Sequence, residues 1–349
     1  MGSSPPFIPL VFIFLVLYVL QNGGGDVLAG KPHNASGKFD APYLTSKINA
    51  SKAIIVDTTG NGHVTSIQKA IEQVPEGNSE WIIIHVRAAT YREKITIPEN
   101  KPFIFMRGNG KGKTHLVWNE SSTSNTDSAT LTVDADNFVA FGISFKNDAP
   151  TGVANNKMDK SVAAVVNSDK AAFYHCAFYS SHNTLFDSKG RHYYESCYIQ
   201  GSSDFIFGRA QSIFEGCEIF VVGDRRNRMH SSVTAQNRPT EEDESGFVFK
   251  RCRIYGAGGI YLGRAKGPFS RVIFSKTYFS MTVLPQGWTD WGYNGTKQQV
   301  VYGEYDCYGP GSDRSNRVLY GKEFTKEQAD HFTTDVKFIN GEEWLPAYI

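Results

Sequence analysis

The sequence predicts an all-β fold, a right-handed parallel β-helix with a short N-terminal capping helix, and three observations predict it. The first is a recurring phrase, aromatic-x-x-Cys-x-Ile, read at Phe173/Cys176/Phe178, Tyr194/Cys197/Ile199, Phe214/Cys217/Ile219 and Phe249/Cys252/Ile254. Looser copies stand at Phe138/Phe141/Ile143 and Phe274/Thr277/Phe279, so the central positions are 141, 176, 197, 217, 252 and 277. Two of the intervals are about 20 residues, and the longer ones fit loops inserted into a repeating unit. The second observation is that each copy is a short β-prone run bounded by Gly, Ser, Asn or Asp. The third is that no single copy can bury both its faces, whereas stacked copies share a continuous interior. An immunoglobulin-like sandwich fits less well, because its strand signals come every 8–12 residues or so with alternating direction.

Taken in order, residues 1–30 read as a signal peptide. Phe7 to Leu20 is an apolar run of 14 residues, short for a membrane span, and Leu28-Ala29-Gly30 offers small residues for cleavage. Residues 31–50 read as a linker, and one domain is expected over 51–349. Asn-x-Ser/Thr sequons at Asn34, Asn49, Asn119 and Asn294 are glycosylation candidates and agree with the leader on secretion. Ala53 to Val56 reads as a strand. Thr65 to Gln68 then reads as a capping box, opening a helix with Ile67, Ala70, Ile71 and Val74 on its apolar face and Pro75 at its end. This helix is expected to cover the open end of the coil, where unpaired strand edges invite aggregation. Further strands are expected at Trp81–Val86, near Lys94–Ile97 and at Phe103–Met106. After Tyr302 the repeat fades. Lys322 to His331 reads as a helix starting near Thr325, and the tail through Trp344 is expected to lie along the outside.

The composition, 40% hydrophobic and 20% charged with 24 Phe and 17 Tyr, is that of a globular β protein. A net charge of +1 gives no reason to expect nucleic acid. Five cysteines form no CxxC pair, which argues against zinc. Four of them share one phase of the repeat, as small apolar residues stacked in successive coils would, although adjacent coils also bring cysteines within disulfide reach.

The chemistry centres on Asp204, in Gly201-Ser202-Ser203-Asp204-Phe205-Ile206-Phe207-Gly208. A carboxylate directly before three apolar residues is costly unless it is paired or at a surface. The bland alternative is a turn aspartate bonding its own backbone. Arg264, in Tyr261-Leu262-Gly263-Arg264, is the natural partner, an always-charged fork able to hold a carboxylate bidentately. The repeat count puts it about three coils away, so the pairing needs a long reach or an inserted coil.

The run Asp204-Phe205-Ile206-Phe207-Gly208, the later Tyr261-Leu262-Gly263-Arg264 and the early Tyr91-Arg92-Glu93-Lys94 resemble signatures of the plant pectin methylesterase (pectinesterase) family. Thr234-Ala235-Gln236 and Tyr302-Gly303-Glu304-Tyr305 extend the resemblance, which runs from about Ile54 to Tyr308. It implies a single-stranded, pectin-lyase-like parallel β-helix. The implied activity is hydrolysis of the methyl esters of homogalacturonan without a cofactor, releasing methanol and pectate. It implies Asp204 as the nucleophile on the ester carbonyl and Arg264 as the arginine that orients it. A covalent route of this kind splits one hard step into two.

Four positions depart from the family's site. Where the family has QDTL this chain has His182-Asn183-Thr184-Leu185, so Asn183 replaces the aspartate that protonates departing methanol and His182 an oxyanion-hole glutamine. Lys160, in Lys160-Ser161-Val162-Ala163-Ala164, replaces the other glutamine, and Lys266 replaces a sugar-stacking tryptophan. Ala89 stands for a further family glycine. A general acid is worth roughly 10²- to 10⁴-fold and an oxyanion donor roughly 10²- to 10³-fold. Asn183 donates a hydrogen bond but gives up no proton at neutral pH. Partial compensation is expected from Lys160 at the oxyanion and from His182 as the acid, while Asp187 is a further carboxylate in the segment.

The expected partner is pectin, an acidic polymer with apolar sugar faces. Lys160, Arg209, Arg264 and Lys266 are expected to make a basic groove, with Phe207, Trp288 and Trp291 as its apolar and stacking surfaces. Arg225, Arg226 and Arg228 form a basic loop that is as readily a solvated turn. The resemblance further implies an extracellular, cell-wall monomer, with a proteinaceous inhibitor as a further class of partner. The competing reading is a pectin-binding pseudoenzyme, resting on the four replaced positions. A glycosidase ranks last, because it needs paired carboxylates and Asp204 has no second acid in its segment. A calcium-dependent lyase ranks with it, since the repeats supply no clustered acidic ligands.

Overall fold

The computed structural model describes residues 40–150, 160–223, 231–291, 293–297 and 299–348. The stretch read as a signal peptide, Asn34 and Arg225, Arg226 and Arg228 therefore lie outside the described residues. The chain winds through three sheets in turn, and every strand pairs in parallel with its counterpart one coil away. That is the expected right-handed parallel β-helix.

Sheet 1 has 11 strands, from Lys52–Val56 to Gly321–Glu323, and includes Phe138–Phe141, Ala171–Tyr174, Arg191–Glu195, Gln211–Glu215 and Gly246–Lys250. Sheet 2 has eight, from Ala89–Tyr91 to Tyr278–Phe279. Sheet 3 also has eight: Ile95–Ile97, Leu131–Val133, Ala164–Val166, Leu185–Asp187, Ile206–Gly208, Ser231–Gln236, Ile260–Ala265 and Trp288–Thr289.

The cysteine phrase marks the corner between sheets 1 and 2. Its aromatic faces inward from sheet 1, the next corner residue turns left-handed, Cys faces inward, and Ile or Phe resumes inward on sheet 2. The left-handed residue is His175, Ser196, Gly216, Arg251, Lys276 or Asp306, all at φ 50–59°. Phe173, Tyr194, Phe214, Phe249 and Phe274 stack ring on ring with centroids 4.5–5.2 Å apart. Such pairs add about 0.5–1.5 kcal/mol each beyond area burial. All five cysteines are free thiols. Cys197, Cys217, Cys252 and Cys307 each donate to the carbonyl of the preceding coil's aromatic, at 3.2–3.5 Å. Cys307 thus belongs to the same ladder.

One copy was out of phase. Phe141 pairs with Tyr174 and Ser144 with Ala177, so the residue opposite Cys176 is Ile143 and the true phrase is Ala140/Ile143/Phe145.

Among the described residues, four α-helices decorate the coil. Helix α1, Ala41–Ile48, falls within the expected linker and corrects it: Leu44 and Ile48 are buried on the outer face of sheet 1 against Trp344 and Leu345. Helix α2, Ile67–Glu72, is the capping helix, its Ile67, Ala70, Ile71 and Val74 buried with Ile54, Val56 and Ile84. Its N-cap is Ser66 rather than Thr65, and Glu93 completes the cap, accepting from the Ile67 and Gln68 N–H groups at 3.0 and 3.1 Å. An anion there also meets the positive end of the helix dipole. Helix α3 is the single turn Asn125–Ser128. Helix α4, Lys326–Thr333, opens with a capping box between Thr325 and Gln328, and the tail after it covers sheet 1 through Val336, Ile339, Trp344 and Leu345.

Candidate active site

The parallel register builds the site at the corner between sheets 2 and 3. Leu185 pairs with Ile206 and Ile206 with Thr234, so the residues two places earlier, Asn183, Asp204 and Ser232, occupy one row on three successive coils. Adjacent rungs are about 4.8 Å apart. Asn183 and Asp204 both adopt the left-handed conformation, φ 56° and 47°. That geometry is tolerated best by short polar side chains such as these. It turns the Asp204 side chain out of the coil rather than into it.

Arg264 sits two rungs beyond Asp204, in register with Ala235 and Phe207. The pairing therefore crosses one intervening strand, not two, because the chain spends extra residues between Val221 and Ser231 and between Gln236 and Gly246. Ala235 is small enough for the guanidinium to reach back over it. Arg264 Nε donates to Asp204 Oδ1 and Oδ2 at 2.8 and 3.0 Å, and Arg264 Nη2 donates to Oδ2. Ser232 Oγ donates to Oδ1 at 2.6 Å, and the Asp204 N–H donates to the Ser232 carbonyl at 2.7 Å. The guanidinium lies over the Trp291 ring, 4.7 Å from its centroid, and Nη1 reaches the Trp291 carbonyl at 3.4 Å. Trp291 itself is 37% exposed.

The remaining predicted residues separate into those at the trough and those that are not. Phe207 stacks on Phe186 of the preceding rung, 4.7 Å between centroids and 4° from parallel, as an apolar floor beside Arg264. Lys266, two residues past Arg264, is exposed and makes no hydrogen bond or ion pair through its amine among the described residues. Crowding by protein pushes it below the ordinary lysine range, as do the charges of Arg264 and Lys160, against the pull of Asp204. Lys160 bridges to Ser122 and puts Nζ on the Thr123 carbonyl at 2.9 Å, close enough for its charge to act on Lys266. His182 is buried, its Nδ1 3.3 Å from Ser202 Oγ.

Trp288 is a correction: only 1% exposed, it stacks on Tyr302 at 4.2 Å and donates to Glu304, facing the interior. The strand Trp288–Thr289 ends before Trp291, which lies in the turn that follows, so the two rings face different ways. Arg209 is a second correction to the basic groove, because its charge is met by Asp243, Nε to Oδ2 at 2.8 Å. Asp187 points inward and is not part of the site; it accepts from His192 Nδ1 at 2.7 Å, Tyr194 at 2.5 Å and Ser212. Glu304, from the last matched motif, is likewise internal and paired with Arg314 and Arg317. Asn49, Asn119 and Asn294 are all exposed. No cluster of three or more His, Cys, Asp or Glu among the described residues could hold a metal.

Sequence reasoning missed Ser232. Its signal was present, since Ser232 precedes Thr234-Ala235 by the same two places by which Asp204 precedes Ile206-Phe207.

The arrangement presents a carboxylate on an outer trough, with one face against a guanidinium and further cations around it. Such a group can attack an electrophilic carbon, and its surroundings suit an acidic substrate. A family model described as Pectinesterase matches residues 53–342. Probable pectinesterase 67 of Arabidopsis thaliana is 55% identical over 339 residues, covering 97% of this chain and 97% of the relative. Probable pectinesterase 55 of the same plant is 42% identical over 298 residues, covering 84% and 89%. Among solved structures, the pectin methylesterase from carrot matches with a TM-score of 0.78 and 29% identity, over 84% of this chain and 95% of that one.

Proposed function

The chain belongs to the pectinesterase family and hydrolyses methyl esters of pectin, and from that premise we propose that Asp204 is its nucleophile and Arg264 the residue that orients it. The observation that carries this reading is the bidentate hold of Arg264 on an outward-facing Asp204. A carboxylate oxygen attacks the ester carbonyl carbon, the C–OCH₃ bond breaks, and water then releases pectate from the acyl-enzyme. Lys160 faces the developing oxyanion; one of its three N–H groups is on Thr123, which leaves two for substrate. His182 protonates the departing methoxide and later receives a proton from water. Phe207 and Trp291 offer apolar faces to sugar rings, while Lys266 and Arg264 receive neighbouring free carboxylates. The working form is an extracellular, cell-wall monomer, within reach of a proteinaceous inhibitor.

Asn183 favours the second reading, a pectin binder without turnover. It stands one rung from Asp204, yet holds no releasable proton. Methanol release from highly methylated pectin between about pH 5 and 9 separates the two, using the mature chain, Asp204→Ala and Asn183→Asp. The esterase reading requires activity lost in the first variant and raised in the second. Absence of methanol from both the parent and Asn183→Asp, with pectin still bound, establishes the binder.

A further inference from the structure

Asp204 is gripped twice by one residue on the next coil. Its N–H is held by the Ser232 carbonyl at 2.7 Å, and its Oδ1 accepts the Ser232 hydroxyl at 2.6 Å. Ser232 is 1% exposed and is fixed in the ladder opposite Tyr261, so this hydroxyl is an anchored donor rather than a mobile surface one. The grip matters because Asp204 sits at φ 47°, a conformation that needs its surroundings to hold it.

Each carboxylate oxygen offers two acceptor directions. At Oδ1 both are engaged, by Ser232 Oγ and by Arg264 Nε at 2.8 Å. Oδ2 takes Arg264 Nη2 and only the longer, shared branch from Nε at 3.0 Å. One direction at Oδ2 therefore remains for an incoming carbonyl carbon. We propose that Ser232 is a positioning residue that fixes the rotation of the Asp204 carboxylate and leaves Oδ2 as the attacking atom. The proposal rests on the reading of Asp204 as nucleophile. Ser232 neither gives nor takes a proton: Oδ2 forms the bond to carbon, the C–OCH₃ bond breaks, and methoxide takes its proton from His182.

Ser232→Ala, Ser232→Thr and Asp204→Asn test it, in the parent chain and in Asn183→Asp, with thermal unfolding to confirm that each variant folds. Ser232→Ala is expected to lower kcat by roughly 10- to 100-fold with KM changed by less than about twofold. Ser232→Thr, which keeps the hydroxyl, restores kcat. Activity abolished in Asp204→Asn but untouched in Ser232→Ala overturns the role of Ser232 alone. So does a Thr variant as impaired as the Ala one, which assigns the effect to packing. Turnover surviving in Asp204→Asn overturns the nucleophile reading and this inference with it.

Discussion

Asp187 and Asp204 belong to consecutive coils and flank the same sheet, yet one is turned inside the coil and the other outside. Asp187 lies fully buried within strand Leu185–Asp187, with donors from His192, Tyr194 and Ser212, while His192 Nε2 is satisfied by the Ser168 carbonyl at 2.7 Å. All three donors come from within the coil, and none of the Asp187 surface reaches solvent. Asp204 comes just before its strand, on a left-handed turn that swings it outward onto Arg264 and Ser232, with a side left open. The same functional group is thus a structural anchor in one place and the proposed nucleophile in the other. Its facing decides which, and the facing is set by strand parity in the first case and by one positive φ in the second.

The comparison breaks first at the inner acid. Asp187→Asn removes one charge from a buried pair, which is expected to cost about 3–5 kcal/mol, read as a lower unfolding midpoint in denaturant. Methanol release per folded molecule stays near the parent's. A variant as stable as the parent would remove the distinction between the two acids.

At the outer site the corresponding loss is catalytic. Arg264→Ala takes away the fork that orients Asp204, and kcat/KM is expected to fall by about 10²- to 10³-fold. Its stability is expected to fall less than that of Asp187→Asn, because the Asp204 side chain keeps 14% of its surface exposed whereas Asp187 keeps none. A melting temperature that falls as far as for Asp187→Asn contradicts this.

A pH scan sharpens the inner half. Burial alone depresses the His192 imidazolium, but the Asp187 charge and hydrogen bond and the Ser168 carbonyl outweigh it and raise His192 above its ordinary value of 6.5. A raised folded-state value means that the pair stabilises fully below the unfolded value and loses that contribution as pH climbs through the folded one. The parent's melting temperature should therefore carry a component that declines above about pH 6.5, and His192→Gln should lack it. Equal slopes in the two proteins would place the titration elsewhere.

The smallest effect belongs to the rim. Lys266→Ala is expected to raise KM for partly de-esterified pectin by about two- to fivefold, an effect that fades with added salt, and to leave kcat unchanged.

Much of this was written in the chain. The aromatic-x-x-Cys-x-Ile phrase marks a corner at which backbone handedness, a small inward side chain and a ring stack recur together, so local chemistry alone exposes the coil. The Phe138 copy was misplaced because Gly142 and Ile143 take the corner there, and a phrase keyed to aromatics slid two residues onto Phe141. Asp204 and Arg264 were legible as a charge against an apolar run and a fork to match it. Their separation was not, since loop length decides how many residues a coil consumes while register decides which residues meet. Trp288 and Arg209 failed for related reasons: the inward turn of one and the Asp243 partner of the other depend on segments distant in sequence.

The most direct test of the account is methanol release per folded molecule by Asp204→Asn, an isosteric change that keeps the turn and removes the charge. The account predicts turnover reduced by about 10⁴-fold or more with the unfolding midpoint preserved. Turnover within about tenfold of the parent would contradict it, because the outward acid would then be as dispensable to chemistry as the buried one.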